Sequence, residues 1–233
     1  MKKYSTIILL LFVGFSLTAQ DQEKFKEILT KTKAVYKNKQ AFEFDMNYTL
    51  YKASDLNKAQ ESYSGVYAKK GDNTYSKIGA VEYLQSNSEF VQVNHEEKAM
   101  LYTKNSEYAA MQDPLNLDSF FDFFGKVSVK ETATGWTCEL SELKGVSQLP
   151  FAKMEITIDK NYQIRKQCLY LVQAMEFIDK GKEVLEPAIL EIKFSGLKAF
   201  SSEAQLKLQE YIQKSGASVK PTGKYKNYEL VQV

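Results

Sequence analysis

The chain has 233 residues, 31 of them basic and 29 acidic, for a formal net charge of +2. With charge close to balance and Arg165 as the only arginine, it lacks the basic patch and the bidentate phosphate-binding forks that a nucleic-acid partner demands. Its length suits one generous all-β domain or two small ones, and one is expected.

Met1, Lys2 and Lys3 precede an apolar run from Ile7 to Phe15 and a small-residue end, Ser16 to Gln20. This reads as a cleaved secretory signal peptide over residues 1–20, too short in its apolar part to span a bilayer. Removing Lys2 and Lys3 leaves 29 basic against 29 acidic residues, so the mature chain, residues 21–233, is expected to be neutral and soluble. Residues 21–39 then predict an amphipathic helix, because Phe25, Ile28, Leu29, Thr32, Val35 and Tyr36 recur at helical spacing among charges.

From Phe42 the period changes. Phe42, Phe44, Met46, Tyr48 and Leu50 alternate with Glu43, Asp45, Asn47 and Thr49, which predicts a strand with one apolar face. Lys52 to Gln60 reads as a polar connector, and Gly71-Asp72-Asn73 as a turn after the basic pair Lys69-Lys70. Strands follow at Thr74 to Ile78, Val81 to Gln85, Phe90 to Asn94 and Ala99 to Thr103, the spacing of an antiparallel meander. Asp113 to Gly125 predicts a helix about three turns long, with Asp113 as N-cap, Pro114 at the first position and Gly125 as the stop. Its stripe of Leu117, Phe120, Phe121 and Phe124 needs an apolar partner, so the helix is a bridge, plug or lid.

Strands resume at Val127 to Glu131 and Trp136 to Leu140, joined by the turn Ala133-Thr134-Gly135. Met154, Ile156 and Ile158 mark another strand, Asp159-Lys160-Asn161 a turn, and Gln163 to Met175 one long strand. Leu190, Ile192 and Phe194 alternate in the next. Ser202 to Lys214 reads as helical, with Leu206, Leu208, Tyr211 and Ile212 as its apolar residues, and Tyr225 to Val233 closes the chain. About ten one-sided strands with a mid-chain helix predict a mainly β (α+β) protein: a strongly curved open antiparallel barrel with helices covering its concave face.

Chemistry is sparse. His95, the sole histidine, stands beside Glu96 and Glu97 and offers no triad or multi-histidine metal site; it reads as an exposed turn residue. No phosphate loop or zinc motif is present, and the carboxylates fall on the polar faces of strands, where solvation is expected. Neither catalysis nor a cofactor or metal is predicted. Cys138 and Cys168 would mature where disulfides form. If a third strand separates theirs, Cα atoms about 9 to 10 Å apart cannot be bridged, and two buried free thiols are expected.

Several local patterns resemble the LolA-like outer-membrane lipoprotein carriers of Gram-negative bacteria, over roughly residues 40–197. Tyr63-Ser64-Gly65-Val66-Tyr67-Ala68-Lys69-Lys70 is similar to the family's Gly-x-hydrophobic-x-basic-basic strand, and Tyr75 stands where a tryptophan is usual. Glu82 to Tyr102 resembles the hairpin that follows. Asp113-Pro114-Leu115 with its phenylalanine helix resembles the lid, and Met154 to Asp159 the strand opening the second half. The resemblance implies a periplasmic, monomeric carrier that holds acyl chains of lipids or lipoproteins, with envelope proteins as further partners. The apolar cavity and lid would comprise Phe42, Phe44, Met46, Tyr48, Leu50, Val91, Val93, Leu117, Phe120, Phe121, Phe124, Ile156, Ile158, Leu190, Ile192 and Phe194. Lys70 before Gly71 replaces the family's arginine before proline as the lid latch. The alternative is a non-transporting envelope module of the same fold that binds a protein or senses lipid.

Overall fold

The structure, a computed structural model, describes residues 3–104, 114–115, 117, 123–144, 149–179, 181–216 and 218–233. It is mainly β, and the chain forms two compact units. The first comprises Met1–Lys37, Thr49–Glu61 and Leu117–Lys193; the second comprises Asn38–Tyr48, Ser62–Asn116 and Phe194–Val233. Strands β1 (Ala41–Lys52) and β2 (Asp55–Lys70) contribute residues to both.

In the first unit, helix α1 (Lys3–Lys37) packs against β7 (Phe124–Thr132). Phe25, Ile28, Leu29, Thr32 and Tyr36 are buried, the stripe that the amphipathic spacing predicts. Strands β8 (Gly135–Leu143), β9 (Phe151–Asp159), β10 (Ile164–Leu171) and β13 (Ala188–Phe194) follow. Opposed pairs such as Trp136 and Ile158, Cys138 and Ile156, and Leu140 and Met154 place one apolar set on a single face. The Ile164 backbone N–H donates to Tyr36 Oη (3.0 Å), which ties α1 to β10.

In the second unit, β3 (Asn73–Ile78), β4 (Val81–Ser86), β5 (Glu89–Asn94) and β6 (Ala99–Thr103) form the expected meander on the end of β2. After β13 the chain makes a 3₁₀ turn (Leu208–Glu210) and the hairpin β14 (Ile212–Ser215) and β15 (Ser218–Pro221). A second 3₁₀ turn (Gly223–Tyr225) leads to β16 (Glu229–Gln232), which pairs with β6 in parallel. Twelve strands hydrogen-bond in the order β16-β6-β5-β4-β3-β2-β1-β13-β10-β9-β8-β7. The order has two ends, so the described strands form a large, predominantly antiparallel sheet and no closed barrel.

Four expectations are corrected. The polar stretch after Lys52 is strand from Asp55 onward, and only Ala53 and Ser54 turn the chain; its residues lie exposed on both faces, so no alternation betrays it. The long strand from Gln163 stops at Leu171, where the Val172 N–H bonds Pro150 O (2.9 Å). The chain then enters a separate hairpin of β11 (Met175–Asp179) and β12 (Lys182–Glu186). Ser202 to Lys214 is no helix, because Leu206, Tyr211 and Ile212 each bury separately in one core while Ile212 opens β14. Phe124 and Gly125 belong to β7 instead of the predicted mid-chain helix, most of which lies outside the described residues.

Candidate functional site

The alternation of β1 sets up an aromatic face in the second unit. Phe42, Phe44 and Met46 are buried, and Tyr48 is half-buried. Phe44 stacks on Tyr67 (5.1 Å between centroids) and on Phe42 (6.2 Å), and meets the edge of Phe194 at 5.7 Å. Register carries this face across the meander: Tyr67 opposes Ser76, Ser76 opposes Tyr83, Tyr83 opposes Gln92, and Gln92 opposes Leu101. Gly65 leaves room for Tyr48, whose ring carbon Cε2 would lie 3.1 Å from a Cβ added there. The Tyr48 hydroxyl finds a thioether, Met46 Sδ, at 3.3 Å, a weak acceptor. Burial, with Tyr83 nearby, pushes the Tyr48 phenol up, and burial does the same to Tyr83. Ile78, Val81, Tyr83 and Leu101 stay half-buried on the same face, so an apolar strip there remains partly open.

Val91 and Val93 stand on the opposite face. Tyr67 and Ala68 are neighbours on β2 and point to opposite sides, and Ala68 opposes Tyr75, Tyr75 opposes Leu84, and Leu84 opposes Val91. There Leu206, Tyr211, Ile212 and Tyr225 close a packed core. Lys70, the latch by resemblance, pairs with Glu203 (2.7 Å) and lies over the Phe200 ring.

The first unit holds the remaining predicted residues. Ile156, Ile158 and Ile192 are buried, Leu190 is half-buried, and Leu50 packs with Phe177 and Ala188. Leu117 is buried, and Phe124 stacks on Phe151 at 6.2 Å; Phe120 and Phe121 lie outside the described residues. A surface cleft of about 890 Å³ beside β11, lined by Pro150, Leu171, Val172, Met175, Glu176 and Leu185, includes none of the residues predicted from sequence.

His95 and Glu82 correct the expectation of exposed polar groups. Glu82, at 3% exposure, accepts from Tyr225 Oη (2.7 Å) and bonds His95 Nε2 (2.8 Å), while His95 Nδ1 meets Tyr228 Oη at 2.9 Å. Burial opposes the charge on Glu82, but Tyr225, His95 and Lys224 outweigh it and hold the carboxyl below the usual range. Sequence reading missed this network because its acid sits between Val81 and Tyr83, where alternation fits either face. Among the described residues, no group of three His, Cys, Asp or Glu is placed to hold a metal ion. Cys138 and Cys168 are free, buried thiols, with β9 between their strands.

No family model matches the chain, and no curated protein matches its sequence. Solved structures to which it is similar include a LolA superfamily protein from Nitrosomonas europaea, at 12% identity and a TM-score of 0.36, over 78% of this chain and 97% of that one. A DUF1329 family protein from Desulfovibrio piger aligns at 12% identity and a TM-score of 0.41, over 78% and 95%. An uncharacterized conserved protein from Thermus thermophilus aligns at 14% identity and a TM-score of 0.45, over 90% and 99%.

Proposed function

We propose that this chain is a periplasmic carrier that holds acyl chains of lipids or lipoproteins in an open, curved half-barrel. The observation that carries the reading is the aromatic face of Phe42, Phe44, Met46, Tyr48 and Tyr67, which continues into the half-buried strip of Ile78, Val81, Tyr83 and Leu101. Such a strip suits a flexible chain. About ten methylenes leaving water contribute about 8 kcal/mol, equivalent to a micromolar Kd before ordering costs. The motif resemblance to LolA-like carriers points the same way, and the signal-peptide pattern suits the compartment.

A second reading, a non-transporting envelope module, is favoured by the mutual stacking of Phe42, Phe44 and Tyr67 at almost no exposure, which is how a packed core behaves. Native mass spectrometry of protein purified from its own envelope separates the two. A carrier retains an acylated ligand, and Leu101→Asp abolishes saturable binding of a fluorescent fatty acid without lowering the urea midpoint. Ligand-free protein with no saturable binding would remove the carrier and leave the module.

A further inference from the structure

The last residues are anchored at few points. In β16, Val231 is 51% exposed, and the terminal Val233 is 67% exposed. The strand closes one end of the sheet order through a parallel pairing with β6. The backbone bonds at its two ends run from Glu229 N–H to Lys98 O (2.9 Å) and from Val233 N–H to Tyr102 O (3.0 Å). Of the β16 side chains Leu230 alone is half-buried against the core, and a short parallel edge pairing with one apolar anchor is weakly held.

The side chains just before it converge on one carboxylate. Glu82 faces Tyr225 Oη and Lys224 Nζ (3.5 Å) from the 3₁₀ turn, His95 from the β5–β6 turn, and Lys77 Nζ (3.7 Å) from β3. Tyr75 and Tyr211 are its other titratable neighbours. His95 passes the connection to Tyr228, the residue before β16, and its ring meets the rings of Tyr225 and Tyr228 at 6.1 and 5.9 Å. We propose that Glu82 is the key of a latch that fixes β16 on β6, and that losing its charge frees residues 226–233 while the meander stays folded.

The chemistry of the partners decides which proton matters. His95 donates through Nε2–H to Glu82, and its Nδ1 meets the Tyr228 hydroxyl, which serves as donor or acceptor. Glu82 depends on its charge. A proton on the carboxyl turns the Tyr225 hydroxyl from donor to acceptor and removes the charge that strengthens the bonds from Tyr225 and His95 and attracts Lys224 and Lys77. The apolar cover of Leu206, Tyr211 and Ile212 does not depend on that charge, so release is confined to the tail. Because the folded carboxyl sits below its usual range, the latch is closed at neutral pH and opens as pH falls through the folded value.

Glu82→Gln keeps the shape and removes the charge. Amide exchange, corrected to protection factors, is read at Glu229 and Val233 and across β3 to β5. At about pH 7 the variant should lose at least about tenfold protection at Glu229 and Val233 while the meander keeps its own. Wild-type protein should show the same local loss on acidification, with no further loss in the variant. Tyr225→Phe, which removes one donor and keeps the ring, should lower tail protection by a smaller factor. Unchanged tail protection in both variants would overturn the latch. So would loss of the tail and the meander together, which would make Glu82 a general support of the unit.

Discussion

Phe44 touches three rings at once, Phe42, Tyr67 and Phe194, and its replacement reports directly on how tightly this face is packed. Phe44→Ala should cost about 3 to 5 kcal/mol in a denaturant titration; a cost below about 1 kcal/mol would mean that the rings line space instead of filling it. Gly65 sets the other limit on the same face. A Cβ there would lie 2.9 Å from the Lys77 carbonyl oxygen and 3.1 Å from the Tyr48 ring, so Gly65→Ala should destabilise by roughly 1 to 3 kcal/mol and shift the Tyr48 ring resonances. The alternation over Phe42 to Tyr48 made this face legible in sequence, and Tyr67 lay within a recognised motif. Glu82 and His95 were not legible, since a single acid or imidazole carries no period and its partners Tyr225 and Tyr228 are distant in the chain.

At the scale of elements, the sequence spoke clearly where one face is buried and poorly where both faces or neither are. Strands β3 to β6 could be read to within a residue or so because a turn punctuates each. The β11–β12 hairpin escaped because Val172 and Met175 are apolar yet 56% and 37% exposed, so the run past Leu171 looked like a continuation of the strand. Its register makes a sharp prediction. Phe177 is buried against Leu50 and Ala188, whereas Ile178 faces outward; Phe177→Ala should cost about 3 kcal/mol or more, and Ile178→Ala less than about 0.5 kcal/mol. Comparable costs, measured by urea midpoints, would place the hairpin one residue out of register. Strand order also decides the cysteines. With β9 between β8 and β10, and with burial pushing the Cys138 thiol up to about 12 and the Cys168 thiol upward as well, native protein should be inert to a thiol-specific chromogenic reagent. Two thiols should react once it is unfolded, even after exposure to oxidant; recovery of fewer would mean a bridge forms.

For the whole molecule, the class of fold was legible and the placement of charge was not, because strand carboxylates assigned to water turn out to be hydrogen-bonded to side chains of other strands and of loops. Burial opposes the charge of Glu43, but the hydroxyls and amides of Ser201 and Ser202 outweigh it; for Glu89, Lys214 and Tyr102 do so, and for Glu155, Tyr170 and Lys153. With Glu82, all four carboxyls lie below their unfolded values. A depressed carboxyl contributes stability that is complete above its unfolded pKa, about 4.3, and is lost as pH falls through the folded value. The basic and phenolic side set the opposite limit. Burial works against the Lys153 ammonium, yet Glu155 and Glu139 raise it, and burial pushes the Tyr36 phenol up to about 12. Groups raised in this way stabilise fully below their unfolded values, about 10, and lose that contribution above them. Urea midpoints should therefore be flat from about pH 5.5 to pH 8, decline gently from about pH 8.5 as the two buried thiols ionise in the unfolded chain, and fall steeply below about pH 4.5 and above about pH 10. Glu155→Gln should lower the plateau and make the acid limb shallower, since one proton fewer is taken up on unfolding. A midpoint at about pH 4 equal to that at about pH 7 would mean these hydrogen bonds hold the carboxylates no better than water does.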